Sequence, residues 1–337
     1  MTTIYLIRHA EAEGNLYRRM HGQLDSMITP LGMKQIRLLA ERFASVSVDA
    51  CYSSDLIRTQ TTAQAIFIPK HLPLQIDPSY RELDVGIWED RTFGWLHYAE
   101  PEQMTCFSKD PVHWQVQGSE PFSSYTTRFI TAMTAAAKRH DGQTFAIFSH
   151  AAVMRGVMMV LFPDVPVYPC DNTSVTKLTW EKGQYRLHML NDNAHLPIDY
   201  STLANNQRPI KGYSRTDNLF WYQEMKDGMI TVMSGERPAG CIRLSAQDQQ
   251  TGVLEHMELY PAWRGRGRAI QLLGEAVFYF RKQGMRYLVF QKPNSGCMDD
   301  LCERMELMPD CSSMCCMDIQ PRILPLGLCT AGEPAGV

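Results

Sequence analysis

Short apolar runs alternate along the chain with amphipathic segments. The first run, residues 4–7, ends at Arg8 and His9. A later run, residues 145–148, is followed closely by His150 and then by an amphipathic segment. Short apolar runs bounded by polar residues are typical of buried strands, and the amphipathic segments after them are typical of helices. The pattern therefore predicts an α/β sheet in which two strands end beside a histidine.

Two further charged groups lie at predicted element boundaries. Residues 51–66 begin apolar, turn polar and continue as a helical pattern that carries Arg58. The candidate N-caps of that helix are Ser53, Ser54 and Asp55. Arg58 then lies near the first turn, where the helix dipole favours an anion. Glu82 lies farther along, in the segment 81–90.

These residue types at strand ends suggest phosphate chemistry. Ligands bind at the carboxyl ends of strands in open α/β sheets. A guanidinium is a planar fork that holds phosphate oxygens, and a neutral imidazole is a nucleophile. Arg8, Arg58, His9, His150 and Glu82 therefore form a candidate phosphoryl-transfer set.

Composition sets the size and class of the protein. Its 337 residues predict two domains, and a hydrophobic content of 45% with 20% charged residues excludes a largely disordered chain. A net charge of −3 gives no global attraction for nucleic acid. We find no signal-peptide pattern and no apolar run of about 20 residues, so we expect a cytoplasmic protein without membrane contact.

Ten cysteines are too few for a disulfide scaffold in a chain of this length. Six of them fall near the end: Cys297, Cys302, Cys311, Cys315, Cys316 and Cys329. They lack the paired spacing of zinc sites, so small buried thiols are expected and no metal is predicted.

Five segments in register resemble the histidine phosphatase superfamily, which has the phosphoglycerate-mutase-like fold. They are LIRHAEAEGN (6–15), HGQLDSMITPLGMKQIRLLAERF (21–43), SSDLIRTQTTA (53–63), RELDVGIWED (81–90) and SHAAVMR (149–155). The resemblance covers residues 1–197 and implies a three-layer α/β/α domain. It departs at Ala12, where the family often has a hydroxyl residue.

The resemblance implies a role for each matched residue. His9 would be the nucleophile that forms a phosphohistidine, and Glu82 would be the general acid and then the base. Arg8, Arg58 and His150 would hold the phosphate, a role shared with Asn15, His21 and Gly22. No metal is needed for this chemistry. A small phosphorylated metabolite is the expected substrate.

Hydrolysis and mutase activity remain alternatives. Mutases of the superfamily add a basic insert after the acid motif, whereas residues 91–122 here hold only Arg91 and Lys109 as strongly basic groups. The stretch instead contains the aromatic residues Phe93, Trp95, Tyr98, Phe107 and Trp114. These aromatics suit either a substrate with an apolar part or a packed lid without ligand contact. We expect a phosphatase.

The residue composition changes after Leu196. Residues 198–216 are polar and predict a linker, and residues 217–337 form the second predicted domain. Its predicted elements are a hairpin in 229–245, a strand in 252–261, a helix after the turn 264–269 and a strand at 286–291. A glycine-rich turn that opens a helix presents backbone N–H groups to an anion.

This turn, RGRGRA, resembles the pyrophosphate-binding turn of GNAT-type N-acetyltransferases, and the resemblance covers about residues 199–320. It implies a smaller α+β domain that binds acetyl-CoA. The implied cofactor residues are Met257, Glu258, Leu259, Arg264, Gly265, Arg266, Gly267, Arg268, Ala269 and Asn294. The family's usual tyrosine is absent near Leu301 and Cys302, which leaves acetyl transfer less supported than cofactor binding.

The sequence therefore predicts a histidine phosphatase fused to a GNAT-like domain. Three alternatives stay open: a mutase, a non-catalytic sensor of phosphate or acyl-CoA, and an interaction scaffold. Glu255 and Glu258 are candidate bases for an amine acceptor, and a regular strand would present only one of them to it. The sequence does not indicate the oligomeric state.

Overall fold

The computed structural model of the protein describes residues 1–207, 219–265, 267–291, 305 and 314–327. These residues contain two six-stranded sheets, one in each half of the chain. The predicted α/β architecture with a second, smaller β-rich domain is confirmed.

The N-terminal sheet has the strand order β3-β2-β4-β1-β5-β6. Its strands are β1 (Thr2–Arg8), β2 (Ala50–Ser53), β3 (Leu74–Ile76), β4 (Thr144–Ser149), β5 (Val175–Glu181) and β6 (Gln184–Asp192). Strand β1 pairs in parallel with β4, which pairs in parallel with β2, while β5 and β6 are antiparallel. The carboxyl ends of β1, β2 and β4 therefore meet at one edge of the sheet.

Helices cover both faces of this sheet. They are α1 (Glu13–Tyr17), α2 (Pro30–Phe43), α3 (Ile57–Phe67), α4 (Phe93–Ala99), α5 (Pro101–Lys109), α6 (Phe122–Arg139), α7 (Ala151–Leu161) and α8 (Thr202–Gln207). Alternate β1 residues supply the two cores: Leu6 packs in the core that includes Phe129 of α6, and Ile7 packs in the core that includes Leu39 of α2. The three-layer α/β/α arrangement follows from a central strand that is apolar on both faces.

The C-terminal sheet runs in order β12-β11-β10-β9-β8-β7. Its strands are β7 (Trp221–Tyr222), β8 (Met229–Ser234), β9 (Arg237–Ala246), β10 (Thr251–Leu259), β11 (Tyr287–Gln291) and β12 (Met314–Asp318). Among its described strands, only the β10–β11 pair is parallel. The predicted hairpin, both further strands and the helix α9 (Ile270–Lys282) are all present.

Helix α9 is buried on two faces. The predicted apolar stripe packs in the core of its own domain, and its members include Leu272, Leu273, Ala276, Val277 and Phe280. The opposite face contacts α1 of the N-terminal domain, and Leu16 and Tyr17 belong to the same buried core as α9. The two domains therefore share a hydrophobic core.

The last described segment returns to the N-terminal domain. Leu326 is buried in the core beneath α2 and α3. Its N–H donates to the side-chain carbonyl of Gln64 on α3, whose amide donates to the Leu324 carbonyl. The N-terminal core is thus completed by residues from the end of the described chain.

The expected linker is partly structured. Residues 198–200 form a 3₁₀ turn, and α8 follows at Thr202–Gln207. Gln35 donates to the Tyr200 carbonyl and to Thr202, while the Leu203 N–H donates to Asp171. The expectation of a linker over 198–216 is therefore wrong for its first ten residues, because their polar groups are satisfied by the N-terminal domain. Residues 208–216 lie outside the described chain.

No helix in the described part of the chain is both long and apolar enough to span a membrane. Of the six clustered cysteines, Cys315 is buried and Cys316 is exposed. Cys297, Cys302, Cys311 and Cys329 lie outside the described residues.

We predict that Gly274→Ala destabilises the protein. A Cβ at Gly274 would lie 2.4 Å from the Tyr17 ring. Alanine in a helix normally gains about 0.5–1 kcal/mol over glycine, whereas overpacking here should cost about 1–3 kcal/mol. A lowered melting temperature is expected, with the exposed Gln283→Ala as control. A raised melting temperature for Gly274→Ala would contradict close packing of α9 on α1.

Candidate functional site

The nucleophile candidate His9 follows β1 directly and is oriented by backbone. Its N–H donates to the Ser149 carbonyl of β4, and its ring Nδ1 lies 2.7 Å from the Ala10 carbonyl oxygen. A carbonyl only accepts hydrogen bonds, so Nδ1 carries the proton and Nε2 keeps its lone pair. Burial, together with the Arg58 and Arg8 charges, holds the pKa of His9 well below its ordinary value of 6.5. The ring is therefore neutral and nucleophilic.

Two guanidinium groups lie beside this imidazole. Arg8 donates from Nη1 to the Cys170 carbonyl (2.6 Å), and its buried Nε has no hydrogen-bond partner among the described residues. Arg58 is 2% exposed and donates to the backbone carbonyls of Gly22 (2.7 Å) and Leu24 (2.9 Å). A buried donor without a partner is costly unless a ligand satisfies it. The Arg8 Nε is thus a candidate phosphate contact.

Arg58 is the second residue of α3, as predicted, but the cap of that helix differs from the prediction. The N-cap is Leu56, and the Ile57 N–H donates to the carboxylate of Asp25 at 2.8 Å. The cap therefore comes from a loop distant in sequence, and the candidates Ser53, Ser54 and Asp55 are not the cap.

His150 is the N-cap of α7, and its ring centroid lies 5.3 Å from that of His9. Its Nδ1 accepts from Arg58 Nε at 3.2 Å, and its Nε2 lies 2.8 Å from the Ser54 hydroxyl. Burial and the Arg58 charge hold the pKa of His150 well below its ordinary value. The neutral His150 ring therefore supports Arg58 in this structure. To donate a hydrogen bond to a phosphate from Nδ1, the ring would have to give up the Arg58 contact and carry a proton there.

Glu82 is buried at the N-terminus of α7. Its carboxylate accepts from the N–H groups of Val153 (2.7 Å) and Ala152 (3.1 Å). Burial raises the pKa of Glu82 above its ordinary value of 4.5, although these backbone donors and Arg58 act in the opposite direction. A raised carboxyl pKa suits a general acid.

Two side-chain amides, those of Asn15 and Asn172, lie beside the nucleophile, and only Asn15 is predicted from the sequence. Asn15 was predicted, and its side-chain oxygen accepts from the Ala12 N–H and the Asn172 amide. Asn172 was missed, although its amide also donates to the His9 carbonyl at 2.9 Å. A polar run before the apolar start of β5 was the available signal.

The other two predicted phosphate ligands are used elsewhere in this structure. The His21 ring lies 5.0 Å from the Phe278 ring of α9, and its Nε2 is 3.7 Å from the Asp90 carboxylate. The Gly22 N–H donates to Glu89, and its carbonyl accepts from Arg58. Both residues shape the loop that positions Arg58.

A cavity of about 450 Å³ adjoins the site at Arg8 and Asn15. Its apolar wall includes Phe93, Met104, Phe107, Met154, Met158 and Val167. Arg18 and Arg155 also line it, and no acidic residue does so within the described chain. Arg155 donates from Nη1 to the Phe107 carbonyl, and its buried Nε has no partner among the described residues. Neither Arg18 nor Arg155 was singled out in the sequence.

The aromatic residues of the predicted cap divide between the cavity wall and packed positions. Phe93 and Phe107 line the cavity. Trp114 is buried against Trp88 and Phe107, and Tyr98 stacks on Trp221 of the C-terminal domain. Trp95 lies under the Arg91 guanidinium.

In the C-terminal domain, β10 separates from its parallel neighbour. Strand β11 pairs with residues 251–254 of β10, whereas β9 continues to pair as far as Leu259. Met257, Glu258 and Leu259 therefore have a backbone edge that faces no other described strand on the β11 side. Such an edge can accept an extended, amide-containing ligand.

The turn before α9 is open. Gly265 and Gly267 have φ values of 72° and 62°, and no described atom outside the adjoining residues lies within 4 Å of a Cβ built at either. Ala269 is the N-cap of α9, preceded by Arg268. Arg264 donates instead to the Leu259 carbonyl and to the Glu258 carboxylate, both at 2.6 Å. Arg266 and Asn294 lie outside the described residues.

Strand β10 carries a bulge that changes how its two acidic residues are oriented. The β9–β10 register shifts between Leu254 and His256, so the alternation expected for Glu255 and Glu258 does not hold. Glu258 lies beside His256 and opposite Cys241, and the ligand atoms of these three residues lie within 4.8 Å of one another. Glu258 already forms an ion pair with Arg264.

Comparisons with known families match both halves of the chain. Residues 4–193 match the profile of the histidine phosphatase superfamily (branch 1), and residues 198–299 match that of the acetyltransferase (GNAT) family. The predicted fusion is therefore confirmed.

Named relatives resemble the N-terminal domain. Phosphoserine phosphatase 1 of Hydrogenobacter thermophilus is 31% identical over 200 residues, which are 58% of this chain and 95% of that protein. A Proteus mirabilis protein named "Probable phosphoglycerate mutase GpmB" is 41% identical over 190 residues, 55% of this chain and 88% of that protein. The structure of Bacillus stearothermophilus YhfR has a TM-score of 0.55 at 29% identity, covering 58% of this chain and 99% of YhfR.

The pKa directions predict a pH profile for phosphate ester hydrolysis. His9 must be neutral, and its lowered pKa places the acid limb of kcat/KM below pH 6.5. Glu82 must be protonated for a poor leaving group, and its raised pKa extends activity to higher pH before an alkaline limb. Glu82→Gln should remove the alkaline limb and slow alkyl phosphates more than nitrophenyl phosphate.

The exposed Glu102→Gln is the control and should keep the wild-type profile. Equal losses for both leaving groups in Glu82→Gln would contradict the acid role of Glu82.

Proposed function

Since the chain belongs to the histidine phosphatase superfamily and carries a GNAT domain, we propose that it hydrolyses phosphomonoesters through a phosphohistidine on His9, without a metal. Its relatives establish it as an enzyme with phosphatase activity in general. The second domain implies use of an acyl-CoA. We propose acetyl-CoA as that ligand and N-acetyl transfer as its associated activity.

One observation carries the phosphatase proposal. The Ala10 carbonyl fixes the His9 tautomer with Nε2 unprotonated, while burial keeps the ring neutral between two guanidinium groups. This combination provides a nucleophile and an anion site at one strand end. Positioning and charge stabilisation are the main requirements of phosphoryl transfer.

The chemistry balances in two steps. The His9 Nε2 lone pair forms a bond to phosphorus while the bond to the ester oxygen breaks, and Glu82 donates its proton to the leaving alkoxide. Glu82 then accepts a proton from water, whose oxygen bonds to phosphorus as the N–P bond breaks. Arg8 and Arg58 stabilise the charge on the phosphoryl oxygens in both steps.

Hydrolysis is favoured over mutase activity by the position of the basic groups near the cap. Arg91 lies against the Trp95 ring, and Lys109 is exposed. Neither lines the cavity beside Arg8. The stretch 91–122 therefore places no basic side chain at the cavity, and Arg18 and Arg155, which do line it, belong to other segments.

The cavity supports a substrate with two chemical features. Its wall of Phe93, Phe107 and neighbouring methionines suits an apolar part of the alcohol. Arg155, whose Nε has no partner among the described residues, suits a second anionic group such as a carboxylate. We therefore propose a phosphate ester that carries both an apolar portion and an acid group.

The acyl-CoA proposal rests on the β10 edge at 257–259, which pairs with no described strand on the β11 side, and on the open glycine turn. The edge at residues 257–259 would pair with the amide-containing pantetheine arm, and the turn at Gly265 and Gly267 would face the pyrophosphate. The bound thioester supplies the acyl group. Glu258 is the candidate base nearest this edge, and accepting a proton from an acceptor amine would require its ion pair with Arg264 to open.

We predict that His9→Ala abolishes hydrolysis of nitrophenyl phosphate. Loss of the covalent step should lower kcat on the order of a thousandfold or more. Exposed His188 provides a matched control, and His188→Ala should keep the wild-type rate. An unaltered rate in His9→Ala would refute the phosphohistidine mechanism.

We predict that acetyl-CoA stabilises the protein to heat and that Gly267→Asp removes this effect. At about one hundred times its dissociation constant, a ligand adds ~2.7 kcal/mol to the domain that binds it. Aspartate would place negative charge where the turn faces the pyrophosphate. Gly267→Asn is the control of equal size without that charge, and it should keep most of the stabilisation.

A wild-type protein without a thermal shift, or an equal shift in Gly267→Asp, would contradict cofactor binding at this turn. Phosphatase activity should persist in both variants, because they lie outside the N-terminal site.

A further inference from the structure

The face of α9 that points away from its own sheet packs on the loop that shapes the phosphatase site. We call residues 13–25 the clamp loop, because its residues lie between α9 and Arg58. Gly274, Phe278 and Arg281 recur along α9 at helical spacing. They and their neighbours contact the clamp loop through both ion pairs and apolar packing.

The first contact is a two-pronged ion pair. Arg281 donates from Nη1 and Nη2 to the two carboxylate oxygens of Glu13, at 3.0 and 2.9 Å. The side chains are 10% and 5% exposed, so the pair is shielded from solvent. Glu13 also accepts from the Met27 N–H. Arg281 and the Met27 N–H thus hold the same carboxylate, at the start of the clamp loop.

The second contact is a buried ionic network. Arg19 of the clamp loop lies 2.6 Å from Glu275 of α9 and 2.5 Å from Asp90. Lys282 of α9 approaches Asp90 at 2.5 Å. Although burial opposes ionisation, His21, Arg19 and Lys282 hold the pKa of Asp90 well below its ordinary value. Removing one partner from such a network leaves a poorly compensated buried charge.

Phe278 fills the space between these ion pairs. Its ring lies 5.0 Å from the His21 ring and 6.2 Å from the Tyr17 ring. The guanidinium carbons of Arg19 and Arg281 lie 5.0 and 4.8 Å from its centroid. One aromatic side chain of the second domain therefore orders both arginines and the clamp loop.

The clamp loop acts directly on the phosphate site. Its Gly22 and Leu24 carbonyls accept hydrogen bonds from the two terminal nitrogens of Arg58. Its Asp25 caps α3, the helix that carries Arg58. Asn15 lies on the same loop and lines the cavity. A shift of the loop by a fraction of an ångström would therefore misalign Arg58 and Asn15.

We propose that α9 is a positioning element of the phosphatase, with Arg281 and Lys282 as positioning residues that act through the clamp loop on Arg58. The second domain then contributes to the phosphatase site, in addition to carrying the glycine turn at which we propose that its own ligand binds. This inference rests on the proposed phosphatase function.

The experiment uses the full chain with Lys282→Met and with the double variant Arg281→Met/Lys282→Met. The Lys282 side chain is 64% exposed, and Arg19 and His21 remain beside Asp90 when it is replaced, so we expect Lys282→Met to fold, with its melting temperature as the check. We expect KM for nitrophenyl phosphate and the inhibition constant of inorganic phosphate to rise about threefold to thirtyfold in the double variant, the range of a coupled contact. Lys282→Met should give a smaller rise in the same direction, and Lys282→Arg should restore the wild-type value.

Arg286→Met is the matched control. Arg286 pairs with Asp318 within the C-terminal sheet, and its side chain is 54% exposed. Loss of this ion pair should leave both constants unchanged. A purely structural role for Arg281 and Lys282 would lower the melting temperature of their variants while KM and phosphate inhibition stayed at wild-type values, and that result would overturn the proposal.

A wild-type chain without any hydrolysis would contradict the proposed function itself and, with it, this inference. An active wild type with unaffected Lys282 and Arg281 variants would contradict this inference alone.

Discussion

The buried guanidinium of Arg58 is the group on which the phosphatase site depends. Its charge lies away from water, so every N–H needs a partner and every partner must be held in place. His150 and two carbonyls of the clamp loop accept from three of its five N–H groups. The N-terminal sheet fixes His150, while α9 fixes the clamp loop, so two separate layers of the protein converge on one side chain.

Much of this arrangement is predictable from the sequence. Apolar runs identified β1 and β4, and the strand ends identified His9 and His150, because buried strands leave a strong local signal. The helix that carries Arg58 was also predicted, but its cap was not. Asp25 caps this helix from a distant loop, and the residue pattern around the helix start does not indicate such a contact.

The same limit explains what was missed at the domain interface. The apolar stripe of α9 predicted one buried face correctly, since its own sheet demands it. Glu275, Arg281 and Lys282 look like an ordinary solvated face in sequence. Their partners Glu13, Arg19 and Asp90 lie some 200 residues or more earlier, and only the fold brings them together. The assignments of Arg266 and Asn294 lie outside the described residues and stay predictions.

The return of the chain end to the N-terminal core affects the order of events during synthesis. Leu326 fills a core position beneath α3 and bonds to Gln64, 262 residues earlier. At about 5–20 residues per second, a ribosome needs on the order of tens of seconds to make the intervening chain. Throughout that time the first domain has an unfilled apolar pocket at its surface. A nascent chain that stalls before Leu326 would therefore leave this apolar core position open to chaperones.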